Sequence, residues 1–388
     1  MTSKDLNRNP LRIQFIFNFC AHYRKKFFEE LAKKYDINYW FFSDGGEYYS
    51  DGLGSRSLGN FKGRYLRGIN LGSHVRLTPG LLVEVFCRKT DVIIKCINGP
   101  VPLLLSFLAA KIRGIPFILW TGLWHDLQSP FHKLARPLVQ FIYQKSNAIV
   151  TYGDHVKAYL VRRDVNADKI FPAYQAHDTE PFLQNVSKHE IDELRWNLGI
   201  TSSKVVLFIG RFVEEKGIDM LVDAFKALDF DDTTLVLIGA GDKETELREK
   251  VKNLQCRILP YVENSQLYKY YALADIFVLP SITTGRFKEP WGFVVNEAMC
   301  QRCAVVVSDA VGAGQGGLIK NGTNGVIFHE KNSAELVNVL RRLLQEETYR
   351  SQLQEQALAT IHSWTFENMI AGFDAAIAYA LNHKNSKE

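Results

Sequence analysis

The stretch that decides the fold is Asp275-Ile-Phe-Val-Leu-Pro280 and, after a polar turn, Glu289-Pro-Trp-Gly-Phe-Val-Val-Asn-Glu297. The first part is a short apolar run bounded by turn residues, which predicts a buried strand. The second part begins in the turn and enters an apolar helix that continues to Cys300. A strand followed by a helix is the repeating unit of a parallel α/β sheet.

The same alternation of strand and helix fills both halves of the chain. Predicted strands of the first half are Leu11–Asn18, Ile37–Ser43, Asp91–Ile97, Pro116–Gly122 and Ala148–Gly153, with helices at Tyr23–Tyr35 and Leu103–Arg113. Those of the second half are Lys204–Gly210, Thr234–Gly239, Arg257–Tyr261, Asp275–Pro280, Ala304–Ser308 and Gly325–Phe328. The pattern predicts an α/β protein of two Rossmann-like, doubly wound parallel sheets that face a central cleft. Ligands bind beyond the carboxyl ends of such strands.

The expected domain boundaries follow from breaks in this pattern. Pro172, Pro181 and a polar stretch interrupt the alternation, so we expect a first domain at 1–185 and a second at 186–365. The long helical pattern of Trp364–Leu381 predicts a final helix and tail at 366–388 that crosses back onto the first domain.

Composition and charge limit the possible functions. Residues 1–185 carry 25 Lys and Arg against 15 Asp and Glu, whereas the rest of the chain carries 22 against 27. A basic first half suits an anionic membrane surface or a phosphate-bearing acceptor, although a merely solvated basic face remains an equal alternative. Nucleic acid is not expected, because no recognition motif accompanies the charge. The basic residues include Arg24, Lys25, Lys26, Lys33, Lys34, Arg56, Lys62, Arg64, Arg67 and Arg76.

Other sequence features concern location and metal or redox chemistry. The N-terminus shows no secretory signal and the chain holds no apolar run of about 18 residues, so we expect a cytoplasmic protein, peripheral at most to the inner face of a membrane. The six cysteines lie mostly in apolar runs and are expected to be core thiols, the pair Cys300 and Cys303 included.

The two carboxylates of the deciding stretch flank a helix start. The first turn of a helix presents backbone N–H groups and the positive end of its dipole, which suits a phosphate. Glu289 and Glu297 lie on either side and can accept hydrogen bonds from hydroxyl groups. A phosphate site between two hydroxyl-binding groups meets the needs of a nucleotide-sugar donor.

Further candidate residues lie at other predicted strand ends. Arg211 and Lys216 follow Phe208-Ile-Gly210 and could neutralise the charge of a departing diphosphate, although pairing with Glu214 and Glu215 is the alternative. Val262 and Leu267 could form the wall against a nucleotide base.

The ordered set of motifs resembles the retaining glycosyltransferases of family 4, which have the GT-B fold. The resemblance covers about residues 10–380 and is most specific in 205–330. The motifs are Gly210-Arg211, Lys216-Gly217, Gly239-Ala-Gly241, Ala274-Asp-Ile-Phe-Val-Leu-Pro-Ser281, Glu289-Pro-Trp-Gly-Phe-Val-Val-Asn-Glu297 and Asn324-Gly325.

The resemblance implies a role for each matching residue. Gly210, Arg211 and Lys216 match the loop and cation pair that bind the diphosphate, and Glu297 matches the residue that holds the ribose hydroxyls. Glu289 matches the residue near the donor sugar, with backbone N–H groups from Gly292, Phe293 and Val294. It also implies transfer without a metal or other cofactor, from a donor such as a UDP- or GDP-sugar to a glycan or lipid-linked acceptor, with retention of the anomeric configuration.

The first half departs from the family. His22, Tyr23 and Arg24 stand where many members have a Gly-Gly loop, and they are candidates for the acceptor side. His125 aligns loosely with a histidine that contacts the donor sugar, and Asp126 is a candidate to receive the acceptor's proton. A non-catalytic sugar-binding or scaffold relative and a nucleotide-sugar epimerase of the same fold remain alternative functions.

Overall fold

The computed structural model describes residues 10–43, 58–71 and 75–384, and in these ranges the first half folds around a seven-stranded parallel sheet. The sheet order is β3-β2-β1-β6-β7-β8-β9, and β4 and β5 pair separately as an antiparallel hairpin. The strands are β1 (Arg12–Phe17), β2 (Asp36–Phe41), β3 (Gly63–Tyr65), β4 (Ile69–Leu71), β5 (Val75–Leu77), β6 (Val92–Cys96), β7 (Phe117–Thr121), β8 (Ala148–Thr151) and β9 (Ile170–Pro172). The helices are α1 (Lys25–Ala32), α2 (Pro79–Cys87), α3 (Pro100–Ile112), α4 (Pro130–Lys145) and α5 (Asp154–Val161).

The second half folds around a six-stranded parallel sheet in the order β12-β11-β10-β13-β14-β15. Its strands are β10 (Lys204–Ile209), β11 (Thr233–Ile238), β12 (Cys256–Leu259), β13 (Ile276–Leu279), β14 (Ala304–Ser308) and β15 (Val326–Phe328). Its helices are α6 (Lys188–Asn197), α7 (Ile218–Leu228), α8 (Glu244–Lys250), α9 (Asn264–Leu273), α10 (Val294–Cys300), α11 (Gly312–Gln315), α12 (Ser333–Gln345) and α13 (Glu347–His362). The last helix of the described chain is α14 (Phe366–Asn382).

The central strands are buried on both faces because helices cover both sides of each sheet. Every residue of β6, β7 and β14 is buried, as expected for parallel strands that read as continuous apolar runs. Each sheet has its own hydrophobic core. The two-sheet α/β architecture predicted from the sequence is therefore confirmed.

Helix α14 returns to the first sheet. Its apolar residues recur at helical spacing and are buried in the first core, whereas α13 packs into the second core. On the flank of α14, the Asp374 carboxylate accepts a hydrogen bond of 2.6 Å from the Tyr35 hydroxyl and forms an ion pair with Lys34. The predicted crossover helix is confirmed. The buried residues are Met369, Ile370, Gly372, Phe373, Ala376, Ile377 and Ala380.

Two further expectations concern membrane spans and thiols. Within the described part of the chain, no helix combines the length and apolarity needed to cross a bilayer. All six cysteines are free, and both Cys300 and Cys303 are buried. Their thiols donate to the Asn296 and Tyr271 carbonyls at 3.2 Å, and burial raises both pKa values, so the prediction of core thiols is confirmed for this pair.

Candidate active site

The site lies where the second sheet reverses its strand order. β10 and β13 are neighbours, but the chain moves outward from β10 to β12 before it returns to β13. A crevice forms at such a switch point because the connections on either side leave in opposite directions. The segment after β10 carries Arg211 and Lys216, and the segment after β13 carries Ser281 and Glu289.

The structure brings Lys216 and Glu289 together across this switch point. The Lys216 ammonium donates to Oε2 of Glu289, and the Ser281 hydroxyl donates to the same oxygen at 3.3 Å. The side chains are only 14% and 9% exposed, so water screens the pair weakly. The site therefore holds a cation that can bind a phosphate group and, beside it, a carboxylate that can accept a hydrogen bond from a hydroxyl group.

Glycine makes this close approach possible. Gly217 has a left-handed φ of +65°, and a Cβ there would lie 2.0 Å from the Pro280 carbonyl oxygen. Gly292 has φ +90°, and a Cβ there would lie 2.7 Å from a Leu279 methyl group. A side chain at Gly217 would therefore push the two loops apart, and both backbone conformations favour glycine.

Arg211 has surroundings different from those of Lys216. Its guanidinium bonds Glu215 at 3.2 Å and the side chain is 52% exposed, as in the alternative weighed from the sequence. The preceding Gly210 bonds the Ile238 carbonyl of β11 through its N–H at 3.0 Å. Arg211 is held at the mouth of the crevice, where it can reorient at little cost because an exposed ion pair is weak.

Glu297 lies one helical turn into α10 and is buried. Its Oε2 accepts a hydrogen bond of 2.7 Å from the Tyr271 hydroxyl of α9, and its Oε1 lies 3.3 Å from Nε2 of His177. Burial and the Glu297 charge together raise the pKa of the Tyr271 hydroxyl. The neutral phenol therefore stays a donor that fixes Oε2 of the carboxylate, while Oε1 faces His177.

The helix that follows the turn begins at Val294, with Phe293 immediately before it. Gly292, Phe293 and Val294 therefore stand at the N-terminus of α10, where a helix leaves backbone N–H groups without intrahelical partners. The Phe293 ring lies 5.2 Å from the Tyr23 ring of the first domain. Val262 is half-buried against the second core, and Leu267 is buried within it.

The three candidates His22, Tyr23 and Arg24 contact the second domain near Phe293 and Glu297. Nε2 of His22 lies 3.0 Å from the Asn264 amide nitrogen. The residue keeps contact with solvent, but its neighbours partly desolvate the ring, which lowers the pKa of the imidazole, while Glu297 opposes the shift. Arg24 is instead buried. Its guanidinium bonds the Gln175 amide oxygen and lies 4.9 to 5.6 Å from the rings of Trp120, Tyr152, Phe293 and Tyr23. Arg24 therefore shapes the domain contact rather than facing open solvent.

His125 and Asp126 are neighbours with different surroundings. The Asp126 carboxylate accepts from the Tyr159 hydroxyl at 2.8 Å and from Arg163 at 2.7 Å, so it is already neutralised within the first domain. Both ring nitrogens of His125 are buried without a hydrogen-bond partner among the described residues. Burial lowers its pKa and the Lys288 ammonium of the second domain lowers it further. His125 is therefore a neutral imidazole at the domain contact.

Two first-domain residues that were not predicted from the sequence bond the backbone of residues 288–292, the loop before α10, which we call the donor loop. The Trp124 indole donates to the Glu289 carbonyl at 3.0 Å, and Nε2 of His155 bonds the Pro290 carbonyl at 3.1 Å. The two rings meet edge to face at 4.7 Å, and Lys288 lies over the Trp124 ring at 3.9 Å. His155 is the second residue of α5, in the segment that follows β8, so its position near a strand's carboxyl end was the signal that could have found it.

The glycine-rich segment around α11 packs against the same histidine. A Cβ at Gly312 would lie 2.0 Å from the Pro290 oxygen and 2.9 Å from Nε2 of His155. A Cβ at Gly153, in the first domain, would lie 2.6 Å from the Gly316 oxygen. The two domains thus approach backbone to backbone beside the donor loop. Glycine at these positions is required by the approach itself.

The ranges that the structure describes contain no group of three or more His, Cys, Asp and Glu side chains arranged to hold a metal ion. The charges assembled at the switch point are Lys216, Arg211, Glu289 and Glu297.

Two facing parallel α/β domains joined by a crossover helix define the GT-B fold, and solved structures confirm this class. The chain superposes on the Anabaena Alr3699/HepE structure in complex with UDP and glucose with a TM-score of 0.73 and 20% identity, over 95% of this chain and 99% of that one. It superposes on a glycosyltransferase from Rickettsia africae ESF-5 with a TM-score of 0.74 and 17% identity, over 98% and 100%.

Residues 190–360 match the family Glycosyl transferases group 1. The chain is 31% identical over 206 residues to the uncharacterized glycosyltransferase MJ1607 of Methanocaldococcus jannaschii, covering 51% of each protein. It is 25% identical over 270 residues to the alpha-D-kanosaminyltransferase of Streptomyces kanamyceticus, covering 65% of this chain and 67% of that one. The matched regions thus span about half to two thirds of these relatives.

Proposed function

We propose that this chain is a retaining glycosyltransferase that moves a sugar from a nucleotide-sugar donor to an acceptor hydroxyl without a metal ion. The observation that carries the proposal is the Lys216–Glu289 pair at the switch point, with Glu297 one helical turn beyond it. The similarity to glycosyltransferases over residues 190–360 supports it.

Each charged residue has a part in the proposed donor complex. The Lys216 ammonium moves from the Glu289 carboxylate to a diphosphate oxygen, and Arg211 turns from Glu215 to the same group. Glu289 is then free to accept hydrogen bonds from the donor sugar's hydroxyls, assisted by the Ser281 hydroxyl. Glu297, which Tyr271 holds from one side, accepts from the ribose hydroxyls. A UDP-sugar is the first donor to test, because UDP is the nucleotide bound in the Anabaena structure.

The proposed reaction exchanges one bond at the anomeric carbon for another. The bond to the departing phosphate oxygen breaks, and the acceptor oxygen bonds the same carbon on the same face. The acceptor's proton passes to the departing phosphate. Lys216 and Arg211 stabilise the charge that develops on the diphosphate, which is the usual role of cations in group transfer. The neutral His125 imidazole can donate to a sugar hydroxyl without repelling these cations.

A donor screen tests the proposal. The full-length chain is incubated with UDP- and GDP-sugars and with glycan or lipid-linked acceptors, and nucleotide release is measured with and without EDTA. We expect release that depends on the acceptor and persists in EDTA, and a product whose anomeric proton coupling matches that of the donor. Product of inverted configuration contradicts retention, and loss of activity in EDTA contradicts the metal-free reaction.

The same screen separates the alternatives. A sugar-binding or scaffold protein binds donors, which raises the thermal stability of the chain, but releases no nucleotide. An epimerase converts the free nucleotide-sugar with no acceptor present. The proposed function extends to the assembly of polysaccharides, glycolipids or other glycoconjugates, and the acceptor that supports turnover identifies which.

A further inference from the structure

Exposed apolar side chains are concentrated on one part of the first domain. Thirteen large hydrophobic residues are exposed among the described residues, and ten of them fall between residues 69 and 141. Isolated exposed hydrophobics are normal, but a concentration on one surface marks an interaction site. We therefore expect a partner or a membrane to cover this part of the surface.

Helix α4 carries an apolar stripe. Leu134, Leu138 and Phe141 are 83%, 37% and 50% exposed, and their spacing of four and three residues places them on one face. The stripe begins near the cleft, because Gln128, just before α4, bonds the Gly285 carbonyl of the second domain at 2.8 Å. The stripe therefore leads from the rim of the domain contact outward.

Helices α3 and α2 extend this surface. The Phe107 ring of α3 meets the Phe141 ring of α4 at 6.0 Å, and Ile112 of α3 is 73% exposed. Helix α2 packs beside α3 and exposes Leu82, Val83 and Phe86. Three adjacent helices thus turn apolar side chains to solvent. We call this surface, formed by the outer sides of α2, α3 and α4, the helical face.

Cations gather where these helices end. The Lys169 ammonium bonds the Gln144 and Ser146 carbonyls at the end of α4, at 2.5 and 3.2 Å. Its pKa is lowered to about 8 by burial and then by Lys111 and Lys145. Lys111 has its own pKa lowered by burial and by Lys145. The three ammonium groups are therefore close enough to repel one another, and an anionic partner relieves that repulsion.

The charge of the segment points to the same kind of partner. Residues 100–145 contain five Lys and Arg but only one acid, Asp126. That acid is already bonded to Tyr159 and Arg163. If a second copy of the chain docked through the same surface, the cations of the two copies would face and repel one another. An apolar surface with a basic margin matches a bilayer with anionic headgroups instead.

We propose that the helical face docks on an anionic phospholipid membrane, with the apolar side chains of α2, α3 and α4 in the headgroup region and Lys111 and Lys145 beside the lipid phosphates. The surface differs from the one suggested by the charges of the sequence alone. Of those residues, Lys33, Lys34, Lys62 and Arg64 pair with acids, Arg24 is buried and Arg56 lies outside the described residues.

Vesicle flotation tests the docking surface without requiring turnover, so it stands apart from the proposed reaction. The full-length chain is mixed with vesicles of phosphatidylcholine alone or of equal parts phosphatidylcholine and phosphatidylglycerol. We expect binding to the anionic vesicles that weakens as salt rises. The double variant Lys111→Glu, Lys145→Glu should bind more than tenfold less, since each lysine contributes about fivefold. The double variant Ile112→Ser, Leu134→Ser should bind less at every salt concentration.

Matched controls lie on the second domain. Lys226→Glu with Lys252→Glu removes the same charge from exposed positions, and Trp196→Ser removes a side chain that is 85% exposed. Both controls should bind as the wild type does. The proposal is overturned if the wild type ignores anionic vesicles, if the controls lose as much binding as the test variants, or if sedimentation shows a dimer that Ile112→Ser, Leu134→Ser dissociates.

Discussion

The two domains contribute different kinds of residue to the site. In the second domain the charged side chains themselves point into the switch point, as Lys216, Glu289 and Glu297 do. In the first domain Trp124 and His155 instead bond the backbone of the donor loop. The side chains of Arg24 and Asp126 are already bonded to Gln175 and Arg163. The second domain therefore carries the residues of the proposed reaction, and the first domain positions the loop that holds Glu289.

The largest expected effect is at the Lys216–Glu289 pair. Lys216→Met should lower kcat by at least about a hundredfold, because it removes the cation that stabilises the departing diphosphate. It also leaves a buried carboxylate without its cation, which should lower the free energy of unfolding by about 3 kcal/mol. Nucleotide release and denaturant unfolding measure the two effects separately.

The double variant Lys216→Met, Glu289→Gln is the matched control for that prediction. It should recover most of the lost stability, because neither charge remains buried alone, and it should stay inactive. Recovery of activity along with stability would show that the pair is structural and would remove the contrast between the domains.

The close approach of the domains offers the next test. Gly153→Ala places a Cβ 2.6 Å from the Gly316 oxygen, so the domains must separate beside the donor loop. A displacement of this size should lower kcat several tens of fold. Gly80→Ala is the control, because its Cβ would meet only Leu66, at 3.8 Å. Equal activity in both variants would mean that the contact at Gly153 does not position the loop.

Trp124→Phe sharpens the comparison further. It removes the indole donor to the Glu289 carbonyl and keeps an aromatic ring, so we expect kcat to fall about tenfold. Affinity for the nucleotide should stay unchanged, since the bond orients the loop and does not contact the proposed nucleotide. Steady-state kinetics check the split, and Trp196→Phe on the exposed surface of α6 serves as the control.

The smallest expected effect is a pH dependence of stability from His155. Burial lowers the pKa of this imidazole from 6.5 to about 4, with Lys288 adding to the shift and the bond to Pro290 opposing it. The unfolded chain therefore takes up the proton first as the pH falls. The contribution of the neutral ring is complete above about pH 6.5 and is lost progressively toward pH 4, by on the order of 3 kcal/mol.

His155→Gln removes this titration and keeps a donor for the Pro290 carbonyl. Its unfolding free energy should fall less steeply than that of the wild type between pH 6.5 and 4. Chemical unfolding at a series of pH values measures both slopes, and His189→Gln, at an exposed position, should leave the wild-type slope intact. Identical slopes for all three proteins would contradict the buried neutral state of His155.

Most of the fold could be predicted because the central strands are continuous apolar runs that end at turn residues. The predicted Ala304–Ser308 strand matches the observed bounds, since it is an apolar run with clear ends. The edge strands β3 and β9 were not predicted. Each is three residues long and includes a residue that is unusual in strands, Gly63 or Pro172. The equally short β15 was predicted because it reads as an apolar run, Val-Ile-Phe.

The site could be predicted only in part. Motif spacing found Lys216 and Glu289, but it could not show that they form a pair, because their contact depends on the neighbouring positions of β10 and β13. The contacts of Trp124 and His155 could not be predicted either, since both bond a backbone carbonyl group that any residue would supply. Only the position of His155, near the carboxyl end of a strand, was a signal in the sequence. Contacts between domains leave no periodic signal in the sequence.

The most direct test of the division between the domains is a titration of UDP into three proteins by calorimetry, paired with their turnover. We expect Lys216→Met to bind UDP at least tenfold more weakly than the wild type, and Trp124→Phe to bind UDP as the wild type does while its kcat is lower. If Trp124→Phe loses as much UDP affinity as Lys216→Met, or if Lys216→Met binds UDP normally, the second domain does not hold the donor in the way described.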